Sequence, residues 1–157
     1  MKIIVAMGRG GVGKTSFVAL MAKFFIELEE TPLFLIDADP DQNLADMVGV
    51  DLKQAGNETL SEILYDFQER GGSLTGTPPQ DRLEPIVWEK GLYEGSSLDL
   101  ITLGTKWGEG CYCLPNSLLK NIIPTIAKNY RYTLIDSPAG LEHLNRRITT
   151  EVEDIFD

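Results

Sequence analysis

The sequence predicts a single α/β domain, spanning residues 1–157, built on a mostly parallel sheet flanked by helices. Three observations carry that expectation. Short apolar runs recur at residues 2–7, 33–37, 98–103 and 132–136, the first of them β-branched, each the length of a buried strand. Helical spacing fills the intervals, and strands separated by a whole helix pair in parallel. A glycine-rich stretch stands where the first strand meets the first helix, and the second and fourth of these runs end in aspartates. A chain of 157 residues with 43% hydrophobic content is large enough to bury one core.

The glycine-rich stretch reads Gly8-Arg9-Gly10-Gly11-Val12-Gly13-Lys14-Thr15, the pattern G-x-x-x-x-G-K-[ST] of a phosphate-binding P-loop. Apolar residues Phe17, Leu20, Met21, Phe24, Phe25 and Leu28 place a helix directly after it. Glycines let backbone N–H groups approach phosphate oxygens with no Cβ in the way, and a helix N-terminus adds partial positive charge. The expected nucleotide-binding set is therefore Gly8, Arg9, Gly10, Gly11, Val12, Gly13, Lys14, Thr15 and Ser16. Lys14 is placed to reach the β- and γ-phosphates, and the Thr15 hydroxyl to meet Mg²⁺. A P-loop NTPase fold follows.

Thr31-Pro32 ends the first helical pattern. The second strand runs into Asp37-Ala38-Asp39-Pro40-Asp41-Gln42-Asn43, which puts carboxylates at a strand's C-terminal end, where open α/β sheets bind ligands. Residues 46–51 read as a weak turn region. Thr59-Leu60-Ser61-Glu62 reads as a capping box opening a helix that runs to about Arg70, with Leu60, Ile63, Leu64 and Phe67 on one face. Residues 71–80, rich in Gly, Thr and Pro, read as an exposed loop. Between residues 50 and 95 no chemistry is visible, and Trp88 and Tyr93 are expected to pack. A helix over about 117–127 contains Pro124, which should kink or split it. The strand ending at Asp136 continues into Ser137-Pro138-Ala139-Gly140, a Walker-B-type arrangement in which Asp136 holds Mg²⁺ through water and the Gly140 N–H meets the γ-phosphate.

Cys111 and Cys113 are the only cysteines. Two residues apart, they lie on one side of an extended segment and can bind a soft or borderline metal such as Ni²⁺ or Zn²⁺. Two thiolates do not close a tetrahedral site, but a two-fold dimer brings four together. Read from the residues alone, the pair serves either as metal ligands or as two incidental thiols. The only histidine, His143, reads as an ordinary helix residue.

The loop and the D-A-D-P segment resemble the deviant-Walker-A ATPases, which include partition and septum-site ATPases, nitrogenase iron protein and the nickel-insertion ATPases of carbon monoxide dehydrogenase. Gly110-Cys111-Tyr112-Cys113-Leu114-Pro115-Asn116 and the run from Ile135 through Leu144 narrow the resemblance to the nickel-insertion group. The likeness implies an ATP-hydrolysing homodimer with Mg²⁺, in which Lys14, Asp39 and Arg9 are catalytic, Asp39 positions the attacking water, and Asp37 and Asn43 lie near the Mg²⁺ shell. It also implies that Cys111 and Cys113 hold Ni²⁺, or Zn²⁺ in its place, for a carbon monoxide dehydrogenase-type client. Arg9 departs from the family's Lys and keeps its charge; it acts in cis, across the dimer or not at all. Leu114-Pro115 stands where the family more often has Pro directly after the second Cys. Ala139 replaces the cluster-ligating Cys of nitrogenase iron protein, which argues against an iron–sulfur cluster of that type. Relative to the family the chain reads as incomplete at its C-terminal end, where Ile155-Phe156 begins a strand and the base-binding part is expected to follow. Two rival readings share the P-loop: a partition- or septum-site-type positioning ATPase, and a degenerate nucleotide-binding paralogue without turnover.

A net charge of −10, from 24 acidic against 14 basic residues, opposes nonspecific nucleic-acid binding. The apolar run after Lys2 is broken at Gly8-Arg9, too early for a secretory signal, and no stretch is long enough to span a membrane. With two cysteines and no disulfide framework, the expected compartment is the cytoplasm.

Overall fold

The computed structural model describes residues 1–70, 79–105, 124–137 and 154–156. Among the described residues six strands form one sheet: β1 (Lys2–Ala6), β2 (Leu33–Asp37), β3 (Leu92–Glu94), β4 (Leu98–Thr102), β5 (Tyr132–Asp136) and β6 (Asp154–Phe156), in the order β3-β4-β2-β5-β1-β6. Every neighbouring pair is parallel except the edge pair β3–β4. The expected parallel relation of the first two strands therefore holds with β5 inserted between them.

The strands read as near-continuous apolar runs because both faces of the sheet are covered. Alternation sorts their side chains into two cores. Ile3, Val5, Phe34, Ile36, Ile101 and Ile135 face one side, packed by α4 (Leu60–Glu69), Leu83 of α5 (Pro79–Ile86), the π-helical turn Val87–Gly91, and Ile126 and Ala127. Ile4, Ala6, Leu33, Leu35, Leu98, Leu100 and Leu134 face the other side, packed by α1 (Lys14–Glu27) and α2 (Asn43–Met47). The result is a three-layer α/β/α domain. Trp88 and Tyr93 pack against the two cores, as expected of them.

The capping box forms: Thr59 Oγ1 accepts from the Glu62 N–H at 3.2 Å, and the Glu62 carboxylate accepts from the Thr59 N–H at 2.9 Å. Two readings need correction. Residues 46–51 are not simply a turn, because α2 covers 43–47 and α3 (Leu52–Ala55) follows, with the Asp51 carboxylate capping it through the Gln54 N–H at 3.0 Å. Helices of five and four residues leave too little periodicity to be seen in sequence. Pro79 and Gln80, expected in a loop, open α5, since proline is tolerated in the first turn where its missing N–H has no partner to lose. The kink expected at Pro124 falls at the edge of the described residues, which are helical over 124–127.

Candidate functional site

The parallel register lines up the strand ends. Ala6 stands opposite Asp136, Asp136 opposite Asp37, and Asp37 opposite Thr102, so four strands finish on one level. The glycine-rich loop leaves β1 at that level and delivers the chain to α1.

Gly11 and Gly13 adopt φ of 79° and 90°, a left-handed backbone that favours glycine. A Cβ at either position would meet nothing, so conformation rather than space selects glycine there. Gly13 is the N-cap of α1 and contributes no side-chain cap, and the first turn contains no acidic residue. The N-terminal end of a fourteen-residue helix thus faces the loop with its positive pole uncompensated. Lys14 is buried, and its ammonium donates across the loop to the Arg9 carbonyl at 3.3 Å. Arg9, Gly10, Val12 and Ser16 are exposed, with Val12 63% accessible. A cavity of about 610 Å³ opens here, lined by residues that include Met7, Gly8, Arg9, Gly13, Lys14 and Phe17. A second cavity of about 310 Å³, beside α4, is lined by residues that include two ion pairs, Lys90 with Glu58 at 3.1 Å and Arg70 with Asp66 at 3.7 Å.

Asp136 is fully buried, and neither carboxylate oxygen has a hydrogen-bond partner in bonding geometry. Burial pushes its pKa up, against the Thr15 hydroxyl, while the charge of Asp39 raises it further and Lys14 lowers it. Thr15 is close enough to influence the carboxylate without completing a bond. A buried, unpartnered carboxylate beside a hydroxyl is a donor set suited to Mg²⁺. The residues present therefore fit the ion that the sequence implies.

Asp37 behaves differently. One oxygen accepts from the Asp39 N–H and the other from the Leu44 N–H, each at 3.1 Å. It is fully buried, and its pKa is raised to about 7, chiefly by desolvation, with Leu44 and Asp39 N–H groups opposing and the carboxylates of Asp136 and Asp39 assisting. Its oxygens brace the loop and the start of α2, so it organises the site's framework, a role the sequence reading missed. Asp39 sits half-buried on the loop, its carboxylate accepting from the Asp41 N–H at 3.0 Å, and Asn43 is exposed. Residues 39–42 form a turn closed by the Gln42 N–H on the Asp39 carbonyl at 3.1 Å. Gln42 holds a positive φ of 54°, and its side-chain amide donates to the Thr105 hydroxyl at 3.2 Å. Asp-Pro at the head of such a turn is a sequence signal; nothing in the sequence points to Thr105.

The structure brings Lys14, Thr15, Asp37, Asp39 and Asp136 to one end of the sheet. Gly140, Cys111, Cys113 and His143 lie outside the described residues. Among the described residues there is no cluster of three or more His, Cys, Asp or Glu arranged to hold a metal. Among them, too, no helix is long and apolar enough to cross a membrane.

Residues 1–155 match the model of an AAA domain family, AAA_31. An uncharacterized ATP-binding protein of Methanocaldococcus jannaschii is 38% identical over 151 residues, covering 96% of this chain and 58% of that protein. The carbon monoxide dehydrogenase accessory protein CooC of Rhodospirillum rubrum is 33% identical over 163 residues, covering 99% of this chain and 61% of that protein. The septum site-determining protein MinD of Thermotoga maritima is 29% identical over 155 residues, covering 98% and 50%. The chain thus spans about half to three-fifths of the length of these relatives. Among solved structures, apo McdA of Cyanthece superposes with a TM-score of 0.65 at 21% identity, covering 99% of this chain and 56% of that one. The MinC:MinD complex of Aquifex aeolicus gives a TM-score of 0.57 at 22% identity, with 99% and 55% coverage. These likenesses agree on the MinD/ParA type of P-loop fold.

Proposed function

The chain belongs to the AAA_31 family of P-loop ATPases, and from that premise we propose that it works as an ATP-dependent dimeric switch that carries nickel on Cys111 and Cys113 and delivers it to a carbon monoxide dehydrogenase-type enzyme. The observation that carries the ATPase part is the unpartnered, buried Asp136 beside Thr15, one strand from the glycine-rich loop. The metal part is supported by the C-x-C pair in the sequence and by the likeness to CooC, whose name ties that protein to carbon monoxide dehydrogenase.

In this reading the loop N–H groups, from Gly8 to Thr15, and the α1 N-terminus hold the phosphates. Lys14 exchanges its bond to the Arg9 carbonyl for the β- and γ-phosphate oxygens. Thr15 and, through water, Asp136 would hold Mg²⁺, and the ion would neutralise charge on the phosphate oxygens. Asp39 orients the attacking water from the turn that Asp37 braces. Arg9, exposed on the loop, supplies a further cation to the transferred phosphate, in cis or across the dimer. Ordering of the Asp39 turn and the Gly140 segment around the γ-phosphate closes two protomers, which sets the spacing of four thiolates.

The test is nickel and zinc binding by the reduced chain, with and without Mg-ATP, against a Cys111→Ser/Cys113→Ser variant. About one metal per two chains, lost in the variant, is expected for a metal held at a two-fold axis. A folded, nucleotide-binding chain that takes up no metal refutes the nickel part and leaves the ATPase part standing. The likeness to MinD favours a second reading, a positioning ATPase without a metal cargo. A net charge of −10 stands against a nucleic-acid track for such a protein. A chain that binds nucleotide without ATP turnover would instead be the degenerate paralogue.

A further inference from the structure

Two features of the Asp39 turn are not used by the proposed mechanism. Gln42 closes the turn with a left-handed backbone, φ 54°, which non-glycine residues rarely adopt. Its side chain reaches across to Thr105, a residue distant in sequence, and donates to that hydroxyl at 3.2 Å. The same residue thus bonds Asp39 through its main chain and the exit of β4 through its side chain.

The β4 exit is a firm anchor. The Leu103 N–H donates to the Asp37 carbonyl at 2.8 Å, and the Leu103 carbonyl accepts from both the N–H and the hydroxyl of Ser61, at 2.9 and 2.7 Å. Gly104, with φ of 86°, lies so close to the α4 cap that a Cβ there would stand 2.4 Å from Thr59 Oγ1. Thr105 is therefore presented from a point fixed to β2 and α4, whereas residues 39–42 are held at their first end by Asp37 and at their last by the α2 start. A turn pinned at both ends still twists about the line between them, and a side-chain bond off that line stops the twist.

We propose that Gln42, tied to Thr105, is a positioning residue that fixes the orientation of the Asp39 turn for hydrolysis. Asp39 itself touches the reacting water; Gln42 and Thr105 act through it. The kinetic consequence rests on the ATPase reading above, while the mechanical link does not.

Amide hydrogen exchange across residues 38–44 tests the link, with 33–37 as the internal reference, in wild-type protein and in Thr105→Val, Thr105→Ser, Gln42→Ala and the Gln42→Ala/Thr105→Val double variant. Thr105→Val removes the acceptor without touching the turn's backbone, so it is the deciding variant. Loss of one hydrogen bond is expected to speed exchange in the turn roughly fivefold. Thr105→Ser should restore the wild-type rate, and the double variant should be no faster than Gln42→Ala. Steady-state ATP turnover should show a lower kcat at unchanged KM in Thr105→Val, with rescue by Thr105→Ser. Wild-type exchange in Thr105→Val, or additive effects in the double variant, overturns the proposal. Absence of turnover in the wild-type chain refutes the ATPase reading instead, and the exchange pattern still decides the link.

Discussion

The framework role of Asp37 makes a quantitative prediction for Asp37→Asn. The Asp37 carboxyl is fully buried at the end of β2, and desolvation raises its pKa from 3.8 to about 7. A carboxyl whose pKa is raised on folding binds its proton more tightly in the folded state. Its contribution to stability is then fully present below pH 3.8 and is lost as pH rises through about 7. At about 1.36 kcal/mol per unit, the whole loss is about 4 kcal/mol. Asparagine removes the charge and keeps the shape. Its NH₂ faces one of the two N–H groups whose bonds Asp37 accepts, a mismatch that protonated Asp37 avoids by turning its O–H away, so the variant should be the less stable at pH 4.5, by about 1–3 kcal/mol. Between pH 4.5 and 7.5 the stability difference should move in favour of the variant by about 3 kcal/mol. Urea denaturation at several pH values, in chelator and without nucleotide, measures this directly. Comparison within each pH cancels the effect of the chain's large negative charge. A difference that stays constant within about 0.5 kcal/mol across that range would refute the assignment of Asp37 as a desolvated carboxylate.

Other substitutions test neighbouring parts of the site. Asp136→Asn should lower nucleotide affinity by about 10- to 100-fold in magnesium and leave the residual affinity in chelator unchanged, as isothermal titration with ATP can show. Gly104→Ala forces a left-handed alanine against the Thr59 cap, and should cost about 2–4 kcal/mol in chemical denaturation. Thr59→Ala, which removes half of the capping box, should cost about 1 kcal/mol by the same measurement.

The parts of this fold that were legible in sequence are those whose reasons are local. Ile3-Ile4-Val5 and Leu33-Phe34-Leu35-Ile36 announce buried strands by composition, and Thr59 with Glu62 announces a helix start through bonds made three residues apart. The Lys14-Thr15 pair could be read because a phosphate cradle requires its glycines at fixed spacing. What escaped depends on residues remote in the chain. Helix α2 is five residues long, and the carboxylate of Asp37, on another element, meets its Leu44 N–H. The insertion of β5 between β1 and β2 is a choice among sheet orders that periodicity does not encode. Asp37 was expected near the metal shell because the D-A-D-P segment resembles that of the deviant-Walker-A ATPases. In the folded chain both its oxygens are engaged by backbone N–H groups, from residues that the sequence does not mark as its partners.

The strand order also bears on synthesis at the ribosome. β1 and β2 leave the exit tunnel early and in succession, yet they share no hydrogen-bonded edge, and the slot between them is filled by residues 132–136. Until those residues emerge, two strongly apolar strands wait with unpaired edges, the condition under which nascent chains attract chaperones or one another. The same late strand brings Asp136 to Thr15. In the proposed reading, tight binding of nucleotide with magnesium therefore waits for residues 132–136.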